Sequence, residues 1–170
     1  MKKLVCSACS IMLLLSLTLG LTACGGGNRV PEDFSFAISW NHGVTSYDSA
    51  TGVLVKESDA THPEDYTTEY RLTEQELQMV WQLIQQLDIQ SYPDQYDPNP
   101  GKQSKPPTSL ILTVRTAEGE KTIAARGINA GYESPDPKGQ KFLDVCRAIE
   151  EILTGTKAWK DLPEFERLYR

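Results

Sequence analysis

A chain of 170 residues with 17 basic and 23 acidic side chains, a formal net charge of −6 and an isoelectric point near 5.0 lacks the basic surface that nucleic-acid phosphates or anionic lipid headgroups demand. Its four cysteines, two of them in the first ten residues, do not make a disulfide framework. The length suits one domain with its own core.

Lys2 and Lys3 precede an apolar run over residues 4–19, and Leu21, Thr22, Ala23, Cys24 and Gly25 follow it. A basic head, a short apolar body and small residues before a cut make an export signal. The 16 residues of the run, diluted by Ser7, Ser10, Ser16 and Thr18, fall short of the roughly 20 that span a bilayer as a helix. Because it ends in Cys24, the stretch closely resembles a lipoprotein signal. That resemblance implies diacylglycerol in thioether linkage to the Cys24 thiol, cleavage between Ala23 and Cys24, and a mature chain anchored by lipid to the cell membrane, facing outside the cytoplasm. Residues 1–23 are then the signal peptide. Residues 24–32 are the lipidated cysteine and a flexible tether, since Gly25, Gly26 and Gly27 order only at high entropic cost. Removing residues 1–23 leaves 147 residues and a formal charge of −8. One acyl chain holds only marginally, at about 0.8 kcal/mol per buried methylene, so the two or three chains of a lipoprotein are what make attachment lasting. Cys146 is then the one cysteine without lipid, readable as a small buried apolar side chain or as a reactive thiol.

The folded part, residues 33–170, begins with Phe34, Phe36, Ile38 and Trp40 alternating with Ser35, Ala37, Ser39 and Asn41, which predicts a strand with one buried face. A turn at Asn41, His42 and Gly43 leads to a partner strand over 44–48. A second turn ending at Gly52 leads to a short strand over 53–56. Tyr66, Thr68, Tyr70 and Leu72 predict a fourth strand. Thr73 followed by Glu76 is a capping box, and Leu77, Val80, Trp81, Ile84 and Leu87 then recur at helical spacing.

Residues 91–107 hold Pro93, Pro98, Pro100, Pro106 and Pro107, so no regular element is expected there. Leu110, Ile111, Leu112 and Val114 predict a central strand covered on part of both faces, and residues 121–126 its hairpin partner. A second helix over 138–153 carries Phe142, Val145, Cys146 and Ile149 on its core stripe. Gly155 stands where a left-handed cap belongs. A last short helix is expected from Leu162, with Trp159, Phe165 and Leu168 tying it to the body. Strands, a helix, a strand pair and a helix in that order predict an α+β fold: one antiparallel sheet of four to six strands with two main helices on one face.

The lipobox, the turn from Tyr47 and Asp48 to Gly52, the helix entry Thr73-Glu74-Gln75-Glu76 and the exit Asp88-Ile89-Gln90-Ser91-Tyr92-Pro93 together resemble a group of small uncharacterised lipoproteins of Gram-positive bacteria. The resemblance implies the fold and the address and carries no activity. His42 and His62, the only two histidines, lie outside any nucleophile elbow, and no phosphate loop or zinc pair is present. Asp94, Asp97 and Asn99 lack the calcium-loop spacing. No cofactor is implied. Two readings stand. One is a non-catalytic module binding a protein, peptide or envelope polymer, with Tyr92, Asp94, Tyr96 and Asp97 lining the recognition surface of a proline-stiffened loop. The other is a hydrolase-type enzyme with an acidic site near Asp94 and Asp97.

Overall fold

A computed structural model describes residues 29–100, 108–129 and 131–166. The candidate signal, Cys24, the glycines of the tether, Pro106, Pro107 and Leu168 lie outside the described residues.

The first strand, β1 (Ser35–Trp40), realises the alternation in its sequence, with Phe36, Ile38 and Trp40 buried and Ser35, Ala37 and Ser39 half-buried. It turns tightly through Asn41, His42 and Gly43, at φ of 52°, 63° and 84°, which suits asparagine, histidine and glycine better than bulkier or β-branched residues. β2 (Thr45–Asp48), β3 (Val53–Val55) and β4 (Thr67–Glu69) then extend the sheet outward as an antiparallel meander. Gly52, between β2 and β3, has a φ of 78° and the Arg71 side chain only 2.9 Å from where a Cβ would stand, so any other residue would be strained there and would displace Arg71. On the other side of β1 comes β6 (Thr108–Thr116), hairpinned to β7 (Gly119–Ile128). β5 (Gln95–Tyr96) closes that edge, giving the order β4-β3-β2-β1-β6-β7-β5.

One row across this sheet explains its stability. Leu54, Tyr47, Ile38, Leu112 and Ile123 are paired neighbours in register, and each is at most 1% exposed. Helices cover that row. α1 (Glu74–Gln85) starts at Thr73, whose hydroxyl accepts from the Glu76 amide at 3.2 Å while Glu76 Oε2 accepts from the Thr73 amide at 2.8 Å. It buries Val80 and Ile84, and Leu87 follows just past its end. Leu77 and Trp81 pack at the margin of the core, with the Trp81 ring edge-on to Phe34 at 4.8 Å. α2 (Pro137–Gly155), capped by the Asp136 carboxylate on the Gly139 amide, buries Phe142, Leu143, Val145, Cys146, Ile149 and Leu153. Cys146 is therefore an apolar core residue, and burial pushes its thiol well above the ordinary range. α3 (Lys157–Asp161) lays Trp159 on Trp40, ring centres 6.0 Å apart.

The α+β class with helices on one face of a single sheet holds, and four finer expectations change. The sheet has seven strands and is mixed: β5 runs parallel to β7. Gln95 and Tyr96 lie between Pro93 and Pro98, which supply no backbone donor, so pairing stops at two residues, reinforced by the Ala124 amide on the Asp94 carbonyl at 2.8 Å. Ile111 is 39% exposed, because among the described residues no helix packs on its side of the sheet. The last helix lies at Lys157–Asp161 and not beyond Leu162. Gly155 stays helical and takes no left-handed cap, since Thr156 ends α2 and starts α3 at once, donating to the Leu153 carbonyl at 2.7 Å and accepting from the Trp159 amide at 3.2 Å.

Ile84→Ala should cost about 2 to 5 kcal/mol through a core cavity, and Thr73→Ala about 1 kcal/mol through the lost cap. Urea titration of the two variants should return that ranking, and equal small losses would mean that α1 does not dock on the row.

Candidate functional site

The described part of the proline-rich loop, residues 91–100, is clamped, and its two tyrosines are the clamps. Tyr92 is 3% exposed. Its hydroxyl donates to the Lys138 carbonyl at 3.1 Å, Lys138 Nζ stands 4.5 Å above the ring, and the ring packs on Phe142 at 5.5 Å. Tyr96 meets Tyr92 edge-on at 5.2 Å and Phe142 at 5.8 Å. Its hydroxyl makes a long contact with Asp136 Oδ2 at 3.4 Å, and burial together with the Asp136 charge pushes it up to about 12. Tyr92 is thus a core residue and not part of a recognition surface, and the half-buried Tyr96 offers only a margin of its ring. The sequence spacing shows two aromatics four apart in a loop, which reads equally as contact area or as internal packing.

The two acids do stay at the surface, separately engaged. Asp94 Oδ1 pairs with Lys121 Nζ at 2.5 Å, its side chain 81% exposed. Asp97 Oδ1 accepts from the Asn99 amide at 2.8 Å, a local turn of the kind aspartate favours. The loop is locked further by Ser134 Oγ donating to the Pro98 carbonyl at 2.5 Å. Asp94 serves β7 and Asp97 serves its own loop.

The other open feature is the face of the sheet that no helix covers among the described residues. An open depression of about 260 Å³ lies there, its lining including Ala37, Ser39, Ser46, Asp48, Val53, Ile111 and Thr113. Short side chains in the middle of β1 and β2 produce the hollow, and Ile111 stands beside it. Thr113 and Thr122 share a hydroxyl contact at 2.9 Å. At the start of β1 the face carries an ion-pair set, Arg115 reaching Asp48 at 3.3 Å and Glu120 at 2.8 Å. These residues escape a sequence reading because serine, alanine and threonine alternating with buried aromatics look like an ordinary solvated side. The one outward isoleucine in β6 was the available signal.

A third cluster lies where the segment after β7 crosses α2. Tyr132, at a φ of 53°, donates to Glu150 Oε1 at 2.5 Å. Arg147 lies over its ring at 5.2 Å and donates to the Gly131 and Tyr132 carbonyls. Burial raises the Glu150 carboxyl to about 7, against the opposing pull of the Tyr132 hydroxyl and Arg147, with Glu151 adding to the rise. It is a single acid without a second carboxylate in the cluster's hydrogen bonds, so the arrangement fastens a crossing segment.

Comparison with protein-family models, with curated proteins and with solved structures yields no significant match.

Tyr92→Ser should lower stability by about 3 kcal/mol or more, as loss of a buried aromatic does, and Asp94→Asn by no more than about 1 kcal/mol, as for an exposed pair; melting curves decide. For Glu150, the folded value near 7 lies above that of an exposed carboxyl. Its contribution to stability is complete below the unfolded value and is lost as pH rises through about 7. Glu150→Gln, which keeps an acceptor for Tyr132, should therefore flatten the decline in urea midpoint between pH 5 and pH 8. A decline identical to that of the parent would show that the carboxyl titrates normally.

Proposed function

We propose that this protein is an extracytoplasmic lipoprotein, held to the cell membrane through lipid on Cys24, that works as a non-catalytic interaction module and presents the helix-free sheet face to a protein partner. The address rests on Lys2, Lys3, the apolar run and the Leu21-Thr22-Ala23-Cys24 junction. β1 starts eleven residues after Cys24, which at about 3.5 Å per extended residue holds the sheet within about 40 Å of the anchor.

The observation that carries the interaction reading is the uncovered sheet face itself, with its hollow of about 260 Å³ beside the exposed Ile111. The engagement of Asp94 by Lys121 and of Asp97 by the Asn99 amide favours this over an acid-base pair at those two residues. Among the described residues no helix is long and apolar enough to cross a membrane.

Cys24→Ala should abolish palmitate incorporation and leave the precursor uncut in cells; unchanged labelling and size would contradict the address. A photo-reactive amino acid in place of Thr113, on the open face, should capture a neighbour in living cells, whereas the same group at the exposed Lys141 of α2 should not. Capture from Lys141 alone would place the interaction surface on the helices instead.

A further inference from the structure

The open face is complementary to itself. Register places Val55, Ser46, Ser39, Ile111 and Ala124 side by side across β3, β2, β1, β6 and β7, and Val53, Asp48, Ala37, Thr113 and Thr122 in the next row. β1 is the middle of these five strands. A two-fold axis laid along β1 therefore brings a second copy onto the face with every row at its own height, exchanging β2 with β6 and β3 with β7. Under that operation the exposed Ile111 stands over Ser46 of the other copy, which lines the hollow. Val53 and Val55 meet Thr122 and Ala124.

Charge agrees with shape. Asp48 and Arg115 lie on opposite sides of β1, on β2 and β6, so the axis brings each Asp48 towards Arg115 of the second copy and not towards another Asp48. We infer that the partner of the open face is a second copy of this chain, packed sheet to sheet about a two-fold axis along β1, with Ile111 of each copy seated on Ser46 of the other. Other occupants fit less well. The two rows carry no aromatic ring on which a sugar or base could stack, and the edge strands β4 and β5 are three and two residues long, too short to add a partner strand.

The magnitude decides where the dimer forms. Five strands about 4.8 Å apart and about four residues deep present on the order of 300 Å² in plan. Two such faces bury about 600 Å², below the roughly 1,200 Å² of stable complexes, so association is weak in dilute solution. Confinement of both chains to one membrane raises their effective concentration. An axis along the strands sends both tethers out at the Ser35 end, as anchoring in one membrane requires, whereas an axis across the strands would send them to opposite ends. This step rests on the lipid-anchor reading; the packing of the two faces does not.

The test uses the full chain in cell membranes. Ser39→Cys, beside the axis, should give a disulfide-linked dimer on mild oxidation, and adding Ile111→Arg should reduce its yield about tenfold, the effect of losing one anchoring contact. Val55→Cys should not cross-link by itself but should do so when combined with Ala124→Cys. Absence of the Ser39→Cys dimer, or a yield indifferent to Ile111→Arg, overturns the inference. Palmitate labelling of the same samples separates the two ideas: labelled monomer without dimer removes the packing and keeps the anchor, and unlabelled dimer does the reverse.

Discussion

The structure depends on burying one side of a sheet with only two helices of useful length. Strand side chains alternate with a period of two, so placing Ile38, Tyr47, Leu54, Leu112 and Ile123 under α1 and α2 puts Ala37, Ser46, Ser39, Val53 and Ile111 on the opposite face. A slip of one residue in β1 would drive Ala37 and Ser39 into the core and Phe36 and Ile38 into solvent, a loss of about 1.5 to 3 kcal/mol for each large side chain exposed. The bare face is thus a consequence of the core, and its small central residues make it hollow.

The connections are fixed by buried polar groups that use side chains where strands end. Lys56, 4% exposed, donates to the Leu162 carbonyl at 3.3 Å and holds its ammonium 5.2 Å above Trp159. Glu57 accepts from the Glu166 amide at 2.9 Å, so consecutive residues after β3 bind the segment that follows α3. Tyr47 donates to the Tyr70 carbonyl at 3.1 Å, and Tyr70 donates to Glu76 at 2.7 Å, linking the sheet to the cap of α1. Burial would raise the Glu76 carboxyl, but the Thr73 amide, the Tyr70 hydroxyl and the Thr73 hydroxyl hold it below its ordinary value. Such bonds are worth about 1 kcal/mol each, yet stripping one partner leaves a buried group unsatisfied at about 1 to 3 kcal/mol.

Local signals in the sequence carried most of the fold. The alternation in β1, the capping spacing of Thr73 and Glu76, and the apolar stripes of α1 and α2 each follow from a period or a cap that acts within one element. What stayed hidden is set by contacts between distant residues. β5 forms because β7 offers a free edge to Gln95 and Tyr96, Tyr92 turns inward because Phe142 and the Lys138 carbonyl receive it, and Ile111 is bare because both helices lie on the other side. Thr156 reads as a residue beyond a helix end until its hydroxyl is seen to join two helices.

The central claim is that the helix-free face is an interaction surface covered when the protein is in its membrane. The most direct test is solvent access at Val53, which lines the hollow. Val53→Cys should react slowly with a membrane-impermeant maleimide on intact cells and rapidly in dilute detergent solution, while a cysteine at the exposed Lys141 reacts rapidly in both. Equal, rapid labelling of Val53→Cys on cells and in solution would contradict the account.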